Sequence, residues 1–328
     1  MKGNGTVSNN VFSKDTKLIT TPGYAAQKVA DIQAKSSVRL TLARLVRDPA
    51  SVISAIVILA IVVFAVAAPL IAQWTGHGPA EQFRETGLSS AGIPVGPSSE
   101  FLLGTDQLGR DVLVRLAYGA RVSLLVGVVA SLIASAIGVI VGATAGFFGG
   151  WVDTLLSRVI DLVMSVPFLL VAIALVAVLG PSLGLSIIVI VFFSWAGLAR
   201  VIRGQVLAIR EREYIEAARS LGESRFSMMF RDVLPNLVVP IIVYTTLGIP
   251  AAVVFEATLS FLGLGIVPPT PSWGNMLADA ANGSMYMVAP WMVLVPGLAL
   301  LALTLAFNLL GDGLRDALDP TSSKGNKA

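Results

Sequence analysis

The sequence predicts an all-α membrane protein with six transmembrane helices, and two observations carry that expectation. Of its 328 residues, 55% are hydrophobic and 13% charged, against a usual charged share of about 25%. The charges are also unevenly spread: residues 49–80, 122–152, 162–199, 233–255, 257–278 and 280–311 contain no Asp, Glu, Lys or Arg. Each window reaches the roughly 20 apolar residues that cross a bilayer core. A soluble core helix seldom runs so long, and six such windows argue against a water-soluble domain.

Residues 1–36 are polar and lack the apolar stretch of a secretory signal, so they read as a disordered cytoplasmic tail and the first span as a retained anchor. In residues 37–48, Val38, Leu42, Leu45 and Val46 fall at helical spacing opposite Arg39, Arg44 and Arg47. That is either a basic amphipathic helix on the anionic membrane face or a plain charged flank. A unit over 49–118 then joins the first span, Ser51–Gln73, to a Gly-, Pro- and Ser-rich external loop. Residues 119–312 hold the other five spans, beginning with Val122–Phe148. There Gly138 and Gly142 stand four apart, a spacing that lets helix backbones approach in lipid, although such residues also serve as gap-fillers. Residues 162–199 would measure roughly 57 Å as helix, too long for one bilayer. Gly180-Pro181-Ser182-Leu183-Gly184 divides them into two spans around a hairpin. After the charged segment Arg200–Asp232 come spans over Asn236–Leu262 and Pro290–Leu310, and 313–328 is a second cytoplasmic tail.

Basic residues set the orientation. With both termini in the cytoplasm, 19 of the 23 Lys and Arg residues lie inside, and Arg84, Arg110, Arg115 and Arg121 lie outside. The reverse arrangement would invert the usual basic bias of cytoplasmic segments. The net charge of +3 is too small to argue for a nucleic-acid partner.

Several chemistries lack their parts. Without cysteine there is no disulfide, iron–sulfur cluster or thiolate metal site. All seven lysines lie in the two tails, so no Gly-Lys-Ser/Thr loop cradles phosphates. His77, alone in Gly76-His77-Gly78, reads as solvent-exposed and idle; a metal site would need more ligands than the chain supplies. Intramembrane charges mark ion paths when unpaired. Asp161 follows Arg158 by three residues, which suggests an i,i+3 ion pair. Glu256 has no obvious local partner and either lines a pathway or holds a neighbouring helix.

The cytoplasmic segment carries the most specific pattern. Tyr214, Ala217, Ala218 and Leu221 share one helical face, which the alanines keep shallow, and Gly222 ends the helix. A second stripe, Phe226, Met229, Phe230 and Val233, follows helical spacing. Leu234-Pro235 leads into the fifth span, proline being tolerated at a helix start. The segment reads as a helix–turn–helix presenting a compact knob to a partner, or else as an amphipathic loop without special role.

Glu216-Ala217-Ala218, with Gly222 and then Leu234-Pro235, resembles the EAA loop of bacterial ABC importer permeases. Leu103-Gly104-Thr105-Asp106-Gln107-Leu108-Gly109-Arg110-Asp111, followed by Tyr118-Gly119-Ala120-Arg121, is similar to the stretch before the second span in dipeptide and oligopeptide permeases of the DppC/OppC type. So is Glu256-Ala257-Thr258-Leu259-Ser260-Phe261 running on to Pro271-Ser272-Trp273-Gly274. The likeness covers roughly 38–318, with Asp232 standing where many members have isoleucine.

The resemblance implies a type I ABC importer permease architecture in the bacterial inner membrane, with 200–235 as the coupling loop. Glu216 would offer a charged contact to an ATPase, Ala217 and Ala218 close docking, and Gly222 the turn; Glu256 becomes a shared structural feature. The implied partners are a second homologous permease, two ATPase subunits carrying ATP and Mg2+, and an external binding protein that meets segments 74–118 and 263–288. No cofactor belongs to this chain. Peptide is the implied substrate, with nickel chelates or small sugars as alternatives. A self-sufficient secondary transporter would need mid-membrane coupling-ion residues and usually a repeat; an intramembrane enzyme would need more His, Cys or buried acids.

Overall fold

The first span begins at a capped aspartate. Asp48 Oδ2 accepts from the Ser51 N–H at 2.9 Å and from the Ser51 hydroxyl, and Pro49 occupies a first-turn position where its missing N–H costs nothing. In this computed structural model, which describes residues 43–318, α1 runs over Pro49–Val66 and α2 over Ala68–Thr75. Gly76, at φ 74°, ends α2. The expected tail 1–36, residues 37–42 of the expected surface helix and residues 319–328 lie outside the described residues. The chain divides into units Met1–Arg44 and Leu45–Ala328, and every element named here belongs to the second.

The next helix departs from expectation. α3 runs over Val112–Phe148, 37 residues or about 55 Å, and starts ten residues before Val122. Arg115 made that stretch look like loop, yet its side chain is buried and paired with Asp106 and Asp279. A neutralised arginine can sit in a helix that rises out of the bilayer.

The third span is bent. α4 (Gly150–Ser165) and α5 (Phe168–Leu179) meet at 80°, because Pro167 disfavours helical geometry in the residue before it; Val166 is extended, at φ −85°, ψ 128°. α6 (Leu183–Arg210) overruns its expected end at the bilayer surface. Then come α7 (Glu213–Ser220), α8 (Arg225–Met228), a π turn at Met229–Val233, a 3-10 turn at Leu234–Leu237 and α9 (Val238–Phe261). α10 (Trp273–Ala281) and α11 (Met285–Val288) precede α12 (Trp291–Leu318). Among the described residues five helices are long and apolar enough to cross a membrane, and the bent α4–α5 pair passes the same test taken together, which makes six if the pair is one span. Among the described residues the extended pairings are isolated bridges, Leu88–Pro94 and Thr105–Asp111.

Glycine explains how α3 meets α6. A Cβ on Gly138 would lie 2.9 Å from the Trp195 carbonyl oxygen, one on Gly146 would lie 2.8 Å from Val206 Cβ, and one on Gly142 would strike the Ala199 carbonyl. These are close-approach positions rather than gap-fillers, and backbone-to-backbone packing replaces the hydrophobic drive that lipid does not provide. On another side of α3, Ser131 Oγ donates to the α9 carbonyl of Thr245 at 2.8 Å. α12 packs on α1 and α9, leaving Leu294, Leu298, Leu301 and Leu305 exposed along one face.

Candidate functional site

The loop between α6 and α9 is anchored by one residue. Ile215 is fully buried on α7 and joins a core of Ile202, Val206, Ile209, Met228, Met229 and Val233. Ala218 packs partly against that core, whereas Tyr214, Glu216, Ala217 and Leu221 are exposed, Leu221 at 87%. The helix ends in a Schellman arrangement: Glu223 N–H reaches Ala218 O at 3.1 Å and Gly222 N–H reaches Arg219 O at 3.1 Å. Gly222 sits at φ 79°, a left-handed conformation that costs glycine little. Ser224 then caps α8, accepting from Ser227 N–H at 3.2 Å. α7 is therefore a short rigid knob on a buried foot.

The second expected stripe does not hold as one face. Met229 and Val233 are buried while Phe226 and Phe230 are 69% and 66% exposed, because the π turn interrupts α-helical periodicity. Leu234 is half-buried and Pro235 exposed at the step into α9. Asp232 keeps one carboxylate oxygen, Oδ2, buried without a hydrogen-bond partner. Beside α7, Arg210, Glu216, Arg219, Glu223, Arg225 and Phe148 help line a cleft of about 620 Å³. No salt bridge joins these charges among the described residues, so the cleft offers both signs to a partner.

The segment before α3 is a structural lock. Asp106 Oδ1 accepts from the N–H groups of Leu108 and Arg110 at 2.9 and 3.0 Å, while its Oδ2 meets Arg110 Nε at 2.6 Å and Arg115 Nε at 3.2 Å. Arg110 Nη2 continues to Asp279 on α10 at 2.9 Å. Burial raises the Asp279 carboxyl above its ordinary range, and Arg110 and Arg115 draw it partly back. Thr105 Oγ1 donates to the Gly87 carbonyl, and Trp291 Nε1 donates to Thr105 O at 3.0 Å. Gly104 and Gly109, at φ 77° and 74°, make the tight turns between.

His77 corrects its expectation. It is buried, its Nδ1 lies 2.7 Å from Asp111 Oδ2, and its ring sits between Phe83 and Phe101 at 4.4 and 5.0 Å. Asp111 also caps α3, accepting from Leu113 N–H at 2.8 Å. Glycine neighbours suggested exposure; the two phenylalanines that enclose the ring are distant enough in sequence to hide the contact.

Asp161 also finds another partner. Arg200 Nη2 on α6 lies 2.7 Å from Asp161 Oδ1, so the ion pair crosses helices instead of running to Arg158 along α4. Glu256 is fully buried, taking Ser260 Oγ at 2.7 Å and Ser123 Oγ at 3.1 Å. Each serine in turn accepts a backbone N–H, Ile266 at 3.2 Å and Trp273 at 3.4 Å. Glu256 thus ties α9 to α3 and to the segment that returns into α10. Ser123, Ser260 and Asp279 were not singled out from sequence, although Asp279 stands alone between two charge-free windows, which was the available signal. Among the described residues no group of three or more His, Asp or Glu could hold a metal ion.

Residues 138–324 match the family model for binding-protein-dependent transport system inner membrane components. Residues 36–87 match the N-terminal TM domain of oligopeptide transport permease C. The chain is 46% identical over 267 residues to the dipeptide transport system permease protein DppC of Escherichia coli K12, covering 81% of this chain and 88% of that protein. It is 40% identical over 287 residues to DppC of Alkalihalophilus pseudofirmus, covering 88% and 91%. A chain of the inward-facing MetNI methionine ABC transporter shares the fold, with a TM-score of 0.52 and 17% identity over 62% of this chain and 96% of that one. The chain therefore belongs to the family of binding-protein-dependent transport system inner membrane components, the membrane permease subunits of ABC importers.

Proposed function

We propose that this chain forms half of the membrane pathway of an ATP-driven importer of dipeptides and oligopeptides. The observation that carries the reading is α7, a rigid knob held by buried Ile215 and ended at Gly222, which offers Tyr214, Glu216, Ala217 and Leu221 beside a charged cleft. Such a knob can receive force from a partner without melting. Names of relatives near 40–46% identity support the peptide cargo.

On this reading both termini and the 200–235 loop face the cytoplasm, and a second, homologous permease completes the pathway. Two ATPase subunits carry ATP and Mg2+ and dock on the knob; hydrolysis belongs to them. An external binding protein delivers the peptide to the outer surface. The locked segment Gly104–Asp111 and the Glu256 knot keep that surface and the spans beneath it in register. Alternating access then follows from rigid elements moving about a bistable interface.

The test is purification of the intact complex through a tag on this chain, with mass spectrometry of partners and of ligand released from the binding protein. Two ATPases, a sister permease and short peptides are expected. A nickel chelate or another small solute would keep the mechanism and replace the cargo. This chain recovered alone and transporting without ATP would overturn the reading.

A further inference from the structure

Two hollows flank one face of α9 at membrane depth. One, of about 450 Å³, lies against α3 and α6; the other, of about 480 Å³, lies against α5 and α12. Both volumes fall within the roughly 300–1,000 Å³ of small-solute sites. Leu247, Ala251 and Phe255 line both hollows. With Tyr244 and Thr258 they recur at i, i+3, i+7, i+11 and i+14, a single helical stripe.

Polar groups on and beside this stripe fall into two kinds. The hydroxyls of Thr246 and Thr258 are satisfied inside α9, donating to Ile242 O at 2.9 Å and Val254 O at 2.8 Å. A lipid-facing threonine does the same. Tyr244, 44% exposed, and Asn308, exposed on α12, have no hydrogen-bond partner among the described residues. Nor do Ser194 and Thr304, which line the two hollows. In hydrocarbon each unsatisfied polar group costs several kcal/mol. Four such groups converging on two hollows indicate that water or a polar solute, not lipid, meets this face.

The wall is also neutral: among the described residues no Asp, Glu, Lys, Arg or His lines either hollow. Hydroxyls and a carboxamide can exchange hydrogen bonds with an amide group while fixing no charge. Phe168 packs on Phe255 at 4.6 Å between ring centres, placing an apolar ridge beside the polar positions.

We propose that this α9 face is the solute-contacting wall of the translocation path. Tyr244, Ser194, Thr304 and Asn308 exchange hydrogen bonds there with the main-chain amides of the passing peptide, which suits peptides of varied side chains. The assignment rests on the importer reading for its cargo. A helix of the sister permease is the rival occupant. Where helices nest in this chain, as α3 does on α6, small residues bring backbones together; the α9 stripe keeps hollows instead.

The chain has no cysteine, so Tyr244→Cys, Asn308→Cys and the nearly isosteric Ser194→Cys can each be placed in the intact importer, with partner subunits free of reactive thiols. The probe is a charged, membrane-impermeant methanethiosulfonate, and Leu59→Cys on α1, 62% exposed and lining neither hollow, is the control. The three sites should react about tenfold or more faster than the control, as expected of water against hydrocarbon, and a transported dipeptide should slow them. Reaction at the control rate overturns the assignment in favour of lipid. Disulfide crosslinking to the sister permease, unaffected by peptide, overturns it in favour of a subunit contact. ATP-dependent peptide uptake by the unsubstituted complex is scored separately. Uptake with unreactive thiols defeats this assignment alone, whereas loss of uptake defeats the cargo reading.

Discussion

Gly142 leaves no room for a side chain, because its α-carbon faces the Ala199 carbonyl on α6. Gly142→Val should force α3 and α6 apart, an overpacking cost of about 1–3 kcal/mol. At about 2–4 °C per kcal/mol for a protein of this class of size, the loss should appear as a lower Tm in detergent; an unchanged Tm would refute the close approach. Asp279 makes a pH prediction. Burial lifts its carboxyl above the usual range, so its stabilising contribution is complete below the ordinary carboxylate pKa and is lost as pH rises through the raised value. Asp279→Asn, neutral throughout, should flatten the Tm-against-pH curve on the mildly acidic side; an identical slope in the two proteins would exclude the raised value. Residue roles of this kind were poorly legible in the sequence. Gly138 and Gly142 stood out by spacing, and Asp106 and Arg110 by motif. His77 did not reveal Asp111, 34 positions away, nor Glu256 its distant partner Ser123, 133 positions away. Ser260, four residues after Glu256 on the same helix, is a local partner that helical spacing offered and that was overlooked.

At the scale of elements, charge-free windows located the spans except for α4, which carries Asp153, Arg158 and Asp161, and window 257–278 holds no span of its own. Hydrocarbon tolerates few unpaired charges, but the pattern is coarse. Boundaries were another matter. The N-terminal turns of α3 were hidden by Arg115, whose neutralising partners are tertiary, and the extent of α4 was hidden by Asp153, which is bonded to Arg203 on α6. The bend at Val166-Pro167 was readable in principle from the proline. The turn after α7 was readable from Gly222, but the π turn that splits Phe226 and Phe230 from Met229 and Val233 leaves no signature in spacing. Leu221→Glu tests α7 directly. The side chain is 87% exposed, so stability should change by no more than about 0.5 kcal/mol. ATPase subunits should nevertheless be lost from the purified complex; their undiminished recovery with transport intact would remove Leu221 from the docking surface.

At the scale of the molecule, orientation came from the distribution of basic residues, and the structure gives that reading a sharp test. Periplasmic reporter fusions after residue 95, between α2 and α3, should be active, and fusions after residue 222, in the loop that carries α7, inactive. The reverse pattern would turn the protein over and take the knob away from any cytoplasmic ATPase. The six-span architecture was legible because hydropathy integrates over long windows. The pathway wall was not, since Tyr244 and Asn308 are unremarkable until their missing partners are seen in three dimensions.

The helices of this fold also differ in compliance. α1 yields to α2 at Ala67, α4 breaks from α5 at Val166-Pro167, and α9 and α12 carry Pro250 and Pro296 within them. α3 and α6 contain no proline and are zipped together along Gly138, Gly142 and Gly146. α3, about 55 Å long, and α6, about 42 Å, make a double strut longer than the roughly 30 Å bilayer core is thick. One end carries the clamp of His77 on Asp111; the other runs through Arg210 into α7. On the proposed coupling, a push on the α7 end would travel along this strut, and the flexing that opens and shuts the passage would fall to the jointed helices around it.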